Sequence, residues 1–224
     1  MSRNNLVIIG VLATLAVMSG VLIYLIKADK LADLWFEGII TQTKDVEEAT
    51  EEETVHEESR DVPVYQETFL IKDGFSIILP AGWQEIALDS IEVLLMAVDV
   101  TEEITDEKAI EAEFMTNLSI KSDDFKKYEK EYTFEEYVYA VKENLTQSIT
   151  IIEFTYGNTD IIDGNETFFL EIESTQNEVS FKTLLVFIKD SNNIVWVMSF
   201  NTLRDSWLAY KDLFYQITEN FKLN

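Results

Sequence analysis

Carboxylates dominate the reactive side chains of this sequence: 42 Asp and Glu stand against 17 Lys and Arg, with one histidine and no cysteine. The absence of thiols excludes a cysteine nucleophile, a disulfide framework, a cysteine zinc site and a lipidated cysteine. The single imidazole, His56, lies in the charge run TEEETVHEESRD, where no pocket can form to pair it with a nucleophile, so it reads as a solvated side chain. Glycines beyond residue 61 are Gly74, Gly82, Gly157 and Gly164; all four read as turn positions, and none builds a phosphate-cradling loop.

The sharpest chemistry on offer is oxygen ligation of a hard cation. Glu102, Glu103, Asp106, Glu107, Glu111 and Glu113 crowd into TEEITDEKAIEAE, a density that suits Ca²⁺ or another divalent ion. The segment lacks the Asp-x-Asp-x-Asp-Gly grammar of a calcium loop, and a solvated loop or helix face is the plainer reading. Carboxylate-pair hydrolysis has acids to draw on everywhere, and for that reason no pair stands out. No cofactor is implied, and catalytic residues are expected to be absent.

Charge also sorts the partners. Of the 42 acids and 17 bases, 12 and 5 precede Val62, which leaves 30 and 12 for residues 62–224. Nucleic acid is a poor partner for such a surface, because phosphate binding needs clustered Lys and Arg. Cations and basic proteins are favoured.

The acids must be positioned by one ordinary domain, because the N-terminal region divides into other things. Residues 1–5 form a short tail. Residues 6–26, LVIIGVLATLAVMSGVLIYLI, hold no charge over 21 positions, about the ~20 a helix needs to cross a bilayer. This stretch is too long for an ordinary signal-peptide core and is expected to be an uncleaved single-span anchor. Residues 27–40 follow as a juxtamembrane amphipathic segment, with Leu31, Leu34, Trp35 and Ile39 on one face. Residues 41–61 carry nine acids against Lys44 and Arg60, a self-repelling stalk with too little apolar content to fold. The expected address is a cell membrane crossed once, with the C-terminal domain extracytoplasmic.

Within residues 62–224 the patterning alternates mostly as strands. Residues 69–80 read as strand, turn at Asp73-Gly74, strand, closed by Pro80-Ala81-Gly82-Trp83. Residues 93–100 and 114–121 suit buried strands, and residues 123–131 a charged connection. Residues 133–149 predict a helix: Thr133 and Glu136 form a capping box, and Phe134, Tyr137, Val138, Val141, Leu145 and Ile149 keep helical spacing. Strands follow at 150–156, 166–173, 179–189 and 194–200. Leu203, Trp207, Tyr210, Phe214, Ile217 and Phe221 then form the stripe of a closing helix, with Thr202 as its cap and Asp205 as the reciprocal acid. Tight turns between strands imply an antiparallel sheet covered by helices, an α+β fold.

The opening FSIILPAGW, the middle amphipathic helix, Gly164 ahead of hairpin strands and the final aromatic helix together resemble the PsbP-like family over nearly all of the folded part. The resemblance implies an α/β/α sandwich around an antiparallel sheet, preceded here by one transmembrane helix. It also implies a non-enzymatic binding or assembly role, with a protein partner that the residues do not name.

Overall fold

The computed structural model describes residues 65–87, 93–124, 133–148 and 151–224. The anchor, the amphipathic segment and the stalk with His56 lie outside the described residues. Among the described residues, no helix is long and apolar enough to cross a membrane.

Two antiparallel sheets organise the domain. The smaller joins β1 (Thr68–Lys72), β2 (Phe75–Leu79) and β10 (Lys222–Leu223) in the order β1-β2-β10. Its hairpin turns at Asp73-Gly74, and glycine is required there twice over: Gly74 has φ of 87°, and a Cβ would sit 2.7 Å from the Trp196 ring. The larger sheet contains β3 (Trp83–Glu85), β4 (Leu95–Asp99), β5 (Asn117–Asp124), β6 (Ile151–Ile162), β7 (Asn165–Gln176), β8 (Val179–Lys189) and β9 (Ile194–Leu203). The order is β3-β4-β5-β9-β8-β7-β6, so the meander from β6 to β9 is built of sequence neighbours, whereas β5 meets β9 across a long separation.

Helices cover both faces of this sheet. Helix α1 (Glu107–Glu111) is a single short turn inside the acidic stretch. Helix α2 (Phe134–Ser148) begins with the expected capping box: the Glu136 amide donates to Thr133 Oγ1 (3.1 Å) and the Thr133 amide to Glu136 Oε2 (2.9 Å). Its Phe134, Tyr137, Val138, Val141 and Leu145 pack on Leu170, Leu185, Phe187 and Val197. Helix α3 (Trp207–Glu219) covers the opposite face, its Phe214 fully buried. The Phe214 ring centroid lies 4.9 Å from that of Phe200 and 6.3 Å from that of Trp83, which is itself a core residue of the Pro-x-Gly-Trp corner.

Three local expectations are corrected. Gly157 is not a turn residue; it lies inside β6 opposite Leu170, and the Phe168 ring would lie 3.3 Å from a Cβ there. Thr202 is not the helix cap, because β9 continues through Leu203 and Thr202 is buried, sharing a 2.8 Å hydrogen bond with Thr116 Oγ1. A 3₁₀ turn, Arg204–Ser206, intervenes, and α3 begins at Trp207 with Ser206 at its N-cap position making no side-chain cap bond. Asp123 and Asp124 belong to β5 and not to a connection, because pairing with Val195 and Ile194 of β9 extends the strand past its apolar run.

Candidate functional site

The six acids of the proposed cation cluster do not share one place. Glu102 turns inward, where its Oε2 accepts the Thr116 amide at 3.0 Å, while Oε1 is buried with no hydrogen-bond partner. Asp106 is the N-cap of α1 and accepts the amides of Lys108 and Ala109, each at 2.9 Å. Glu107, Glu111 and Glu113 follow on or just past that helix, the last with φ of 51°. Only Glu103 and Asp106 line a common cleft, of about 280 Å³, beside Glu178, Arg204 and Asp205. Among the described residues, no three His, Cys, Asp or Glu side chains are placed to hold one metal ion.

The more organised polar groups lie under α3, where the sequence pattern marked only an apolar stripe. At one side, the Tyr210 hydroxyl donates to Asp99 Oδ2 at 2.7 Å, while Asp99 Oδ1 accepts the Thr101 hydroxyl (2.6 Å) and amide (2.8 Å). Burial, the hydrogen bond to Asp99 and the charge of nearby Glu102 all push the Tyr210 phenol well above its usual range. It therefore stays a donor at any physiological pH.

Further along α3, Glu171 of β7 is 4% exposed and Lys182 of β8 is 6% exposed. Glu171 Oε1 accepts from Lys211 Nζ (3.0 Å) and from the Tyr215 hydroxyl (3.1 Å). Its Oε2 lies 4.0 Å from Lys182 Nζ, and Lys182 also donates to Thr155 Oγ1 of β6. The Lys182 and Lys211 amines sit 5.7 and 5.8 Å from the Trp207 ring centroid, within cation–π range. A charge buried this deeply must be paired, and here the pairing ties three strands to one helix. Sequence offered one signal for it: Lys182 shares its strand parity with Leu184, Val186 and Ile188, so it had to point into the core.

A second recess, of about 330 Å³, opens next to this network between the β6–β7 turn and the end of α3, floored by Phe169 and Tyr215, which stack at 5.2 Å. Both recesses are open to solvent, the first lined mainly by polar groups and the second by polar and apolar groups alike. The best-formed carboxylates, Asp99 and Glu171, are engaged by Tyr210 and by Lys211 and Tyr215, which is the chemistry of fastening.

No family model matches the sequence, and no curated protein matches it. Solved structures do. LpqN of Mycobacterium tuberculosis, described as involved in cell envelope biogenesis, is 14% identical with a TM-score of 0.51, over 77% of this chain and 98% of that one. Cyanobacterial PsbP (CyanoP) of Synechocystis sp. PCC 6803 is 17% identical with a TM-score of 0.46, over 74% and 96%. The Ran-binding protein Mog1p of Saccharomyces cerevisiae is 11% identical with a TM-score of 0.45, over 71% and 96%. The chain shares the fold of LpqN. In this domain the opening hairpin, the Trp83 corner, the middle helix and the closing aromatic helix stand in the order the motifs implied.

Proposed function

We propose that the chain is a non-enzymatic binding or assembly module: a PsbP-like domain held at a membrane by residues 6–26, on the acidic stalk, outside the cytoplasmic membrane. The observation that carries this reading is the fate of the buried charges. Glu171, Lys182 and Asp99 are committed to fastening α3 onto the sheet, while large apolar side chains such as Leu208 (88% exposed) and Ile161 (62% exposed) face outward. Charged groups bound into the helix–sheet contact, and not gathered at an open cleft, support a domain used for its surface. LpqN, whose fold this chain shares, is itself described with an envelope role, which suits the proposed address.

The test uses the full chain in cells. The chain is expected to sediment with membranes and to release its domain when protease is added to intact cells. A domain untouched by external protease overturns the orientation, and a chain that fractionates as soluble overturns the anchor. A photo-crosslinking residue at Leu208 or Ile161 is expected to give a discrete, saturable adduct; none at either position counts against a binding module. The divalent-cation alternative retains Glu103 and Asp106 in one cleft, and the carboxylate-hydrolase alternative would need two acids facing across it.

A further inference from the structure

The outer face of the small sheet departs from the rest of this acidic molecule. In an antiparallel sheet with one face on the core, the other is normally polar. Here Phe75, Ile77 and Leu79 of β2 face the core, and the opposite face presents Phe69 (62% exposed) and Ile71 (71% exposed) of β1. Phe69 pairs with half-buried Ile78 and Ile71 with Ser76, so the apolar side chains are contiguous across the two strands. Tyr65, 42% exposed, stands just before β1.

Charge singles out the same surface. The strands TFLIK, FSIIL and KL hold no Asp or Glu and two lysines, in a chain of net charge −25. Lys72 is paired with Glu85 and Lys222 with Asp163, and Glu67 and Asp73 lie only at the rims, so the face itself is close to neutral. Strand β1 is also the first element of the domain after the apolar stretch in sequence. Residues 27–64 separate that stretch from Tyr65, a reach of up to ~120 Å at ~3.3 Å per residue, enough for the domain to lie down on the surface it is tethered to.

From these observations we infer that the β1–β2 face is a membrane-contact surface: Phe69, Ile71 and Ile78 enter the headgroup layer and Tyr65 sits at its edge. Aromatic rings suit that layer. Tethering holds the face at a high effective concentration beside the bilayer, so a patch too small to bind vesicles from solution can still dock. The inference rests on the proposed anchor and adds to it a resting posture for the domain.

Since the chain has no cysteine, a single probe can be placed cleanly. The full chain carrying Ile71→Cys, labelled with a polarity-sensitive dye, is reconstituted in phosphatidylcholine vesicles with brominated acyl chains. The same dye on Leu208→Cys of α3 is the control. The expected result is quenching several-fold stronger at position 71 than at 208, lost when Phe69→Ser is added. Vesicle-bound chain with equal, weak quenching at both positions overturns the docked face and leaves the anchor standing. Chain that stays out of the vesicle fraction overturns both. Unquenched dye together with a disulfide dimer of unlabelled Ile71→Cys assigns the face to a second copy, which also overturns the inference.

Discussion

Phe214 fills the centre of the α3 face at zero exposure, in contact with the rings of Phe200, Trp207 and Tyr210. Cutting it to alanine leaves a cavity among rings that cannot close over it, and Phe214→Ala is expected to cost about 3–5 kcal/mol in a denaturant titration. Tyr210 makes a prediction of a different kind. Its phenol is held above the ordinary value of about 10, so the native protein keeps the proton that the unfolded chain releases in alkali. Stability is thus fully present below pH ~10 and falls as pH rises beyond it, by up to ~1.4 kcal/mol per pH unit. Tyr210→Phe should flatten that alkaline limb relative to wild type, and parallel limbs in the two proteins would refute the assignment. Glu171→Gln leaves Lys182 buried without its counter-charge. The expected loss is about 3 kcal/mol, read as a lowered denaturant midpoint at unchanged slope.

Among the elements, α2 was legible because its signals are local: a capping box three residues apart and an apolar stripe at helical spacing. Strand β6 was legible only in its first half. Beyond Tyr156 the run Gly157-Asn158-Thr159-Asp160 reads as loop, yet pairing with β7 from Leu170 to Thr167 holds it extended. Strand propensity yields to pairing in this way because a strand's partner is tertiary context. The candidate site shows the same division. The acids of residues 101–113 were visible as a cluster, but nothing local fixes that Glu102 turns toward Thr116 while Asp106 caps α1. The Glu171–Lys211 contact joins a strand to a helix, so its two halves are unrelated in the sequence pattern. The Trp83 corner carries its own test. Gly82 has φ of 88°, and a Cβ would lie 2.7 Å from Thr101. Gly82→Ala therefore combines left-handed strain with a clash and should cost about 2–3 kcal/mol, visible as a lower melting temperature.

For the whole molecule, a net charge of −25 makes self-repulsion a standing load on the fold. Raising ionic strength from 0.01 to 0.15 M shortens the screening length from about 30 to about 8 Å, and the melting temperature should rise with it. Because the six acids of the excursion are spread over a loop, a short helix and its flank, Ca²⁺ at matched ionic strength is expected to add nothing more; a calcium-specific rise would favour the cation-binding reading. The strand order has a further consequence, in time. Strands β6 to β9 can pair with their sequence neighbours as they form, but β5 finds its outer partner only when β9 arrives, and Asn117 and Asn201 are 84 residues apart. Such long-range closure is slow. On the ribosome β4 and β5 emerge ahead of the meander, and the bare edge of β5 must wait for it; that interval is when a nascent chain is open to mispairing or to a chaperone.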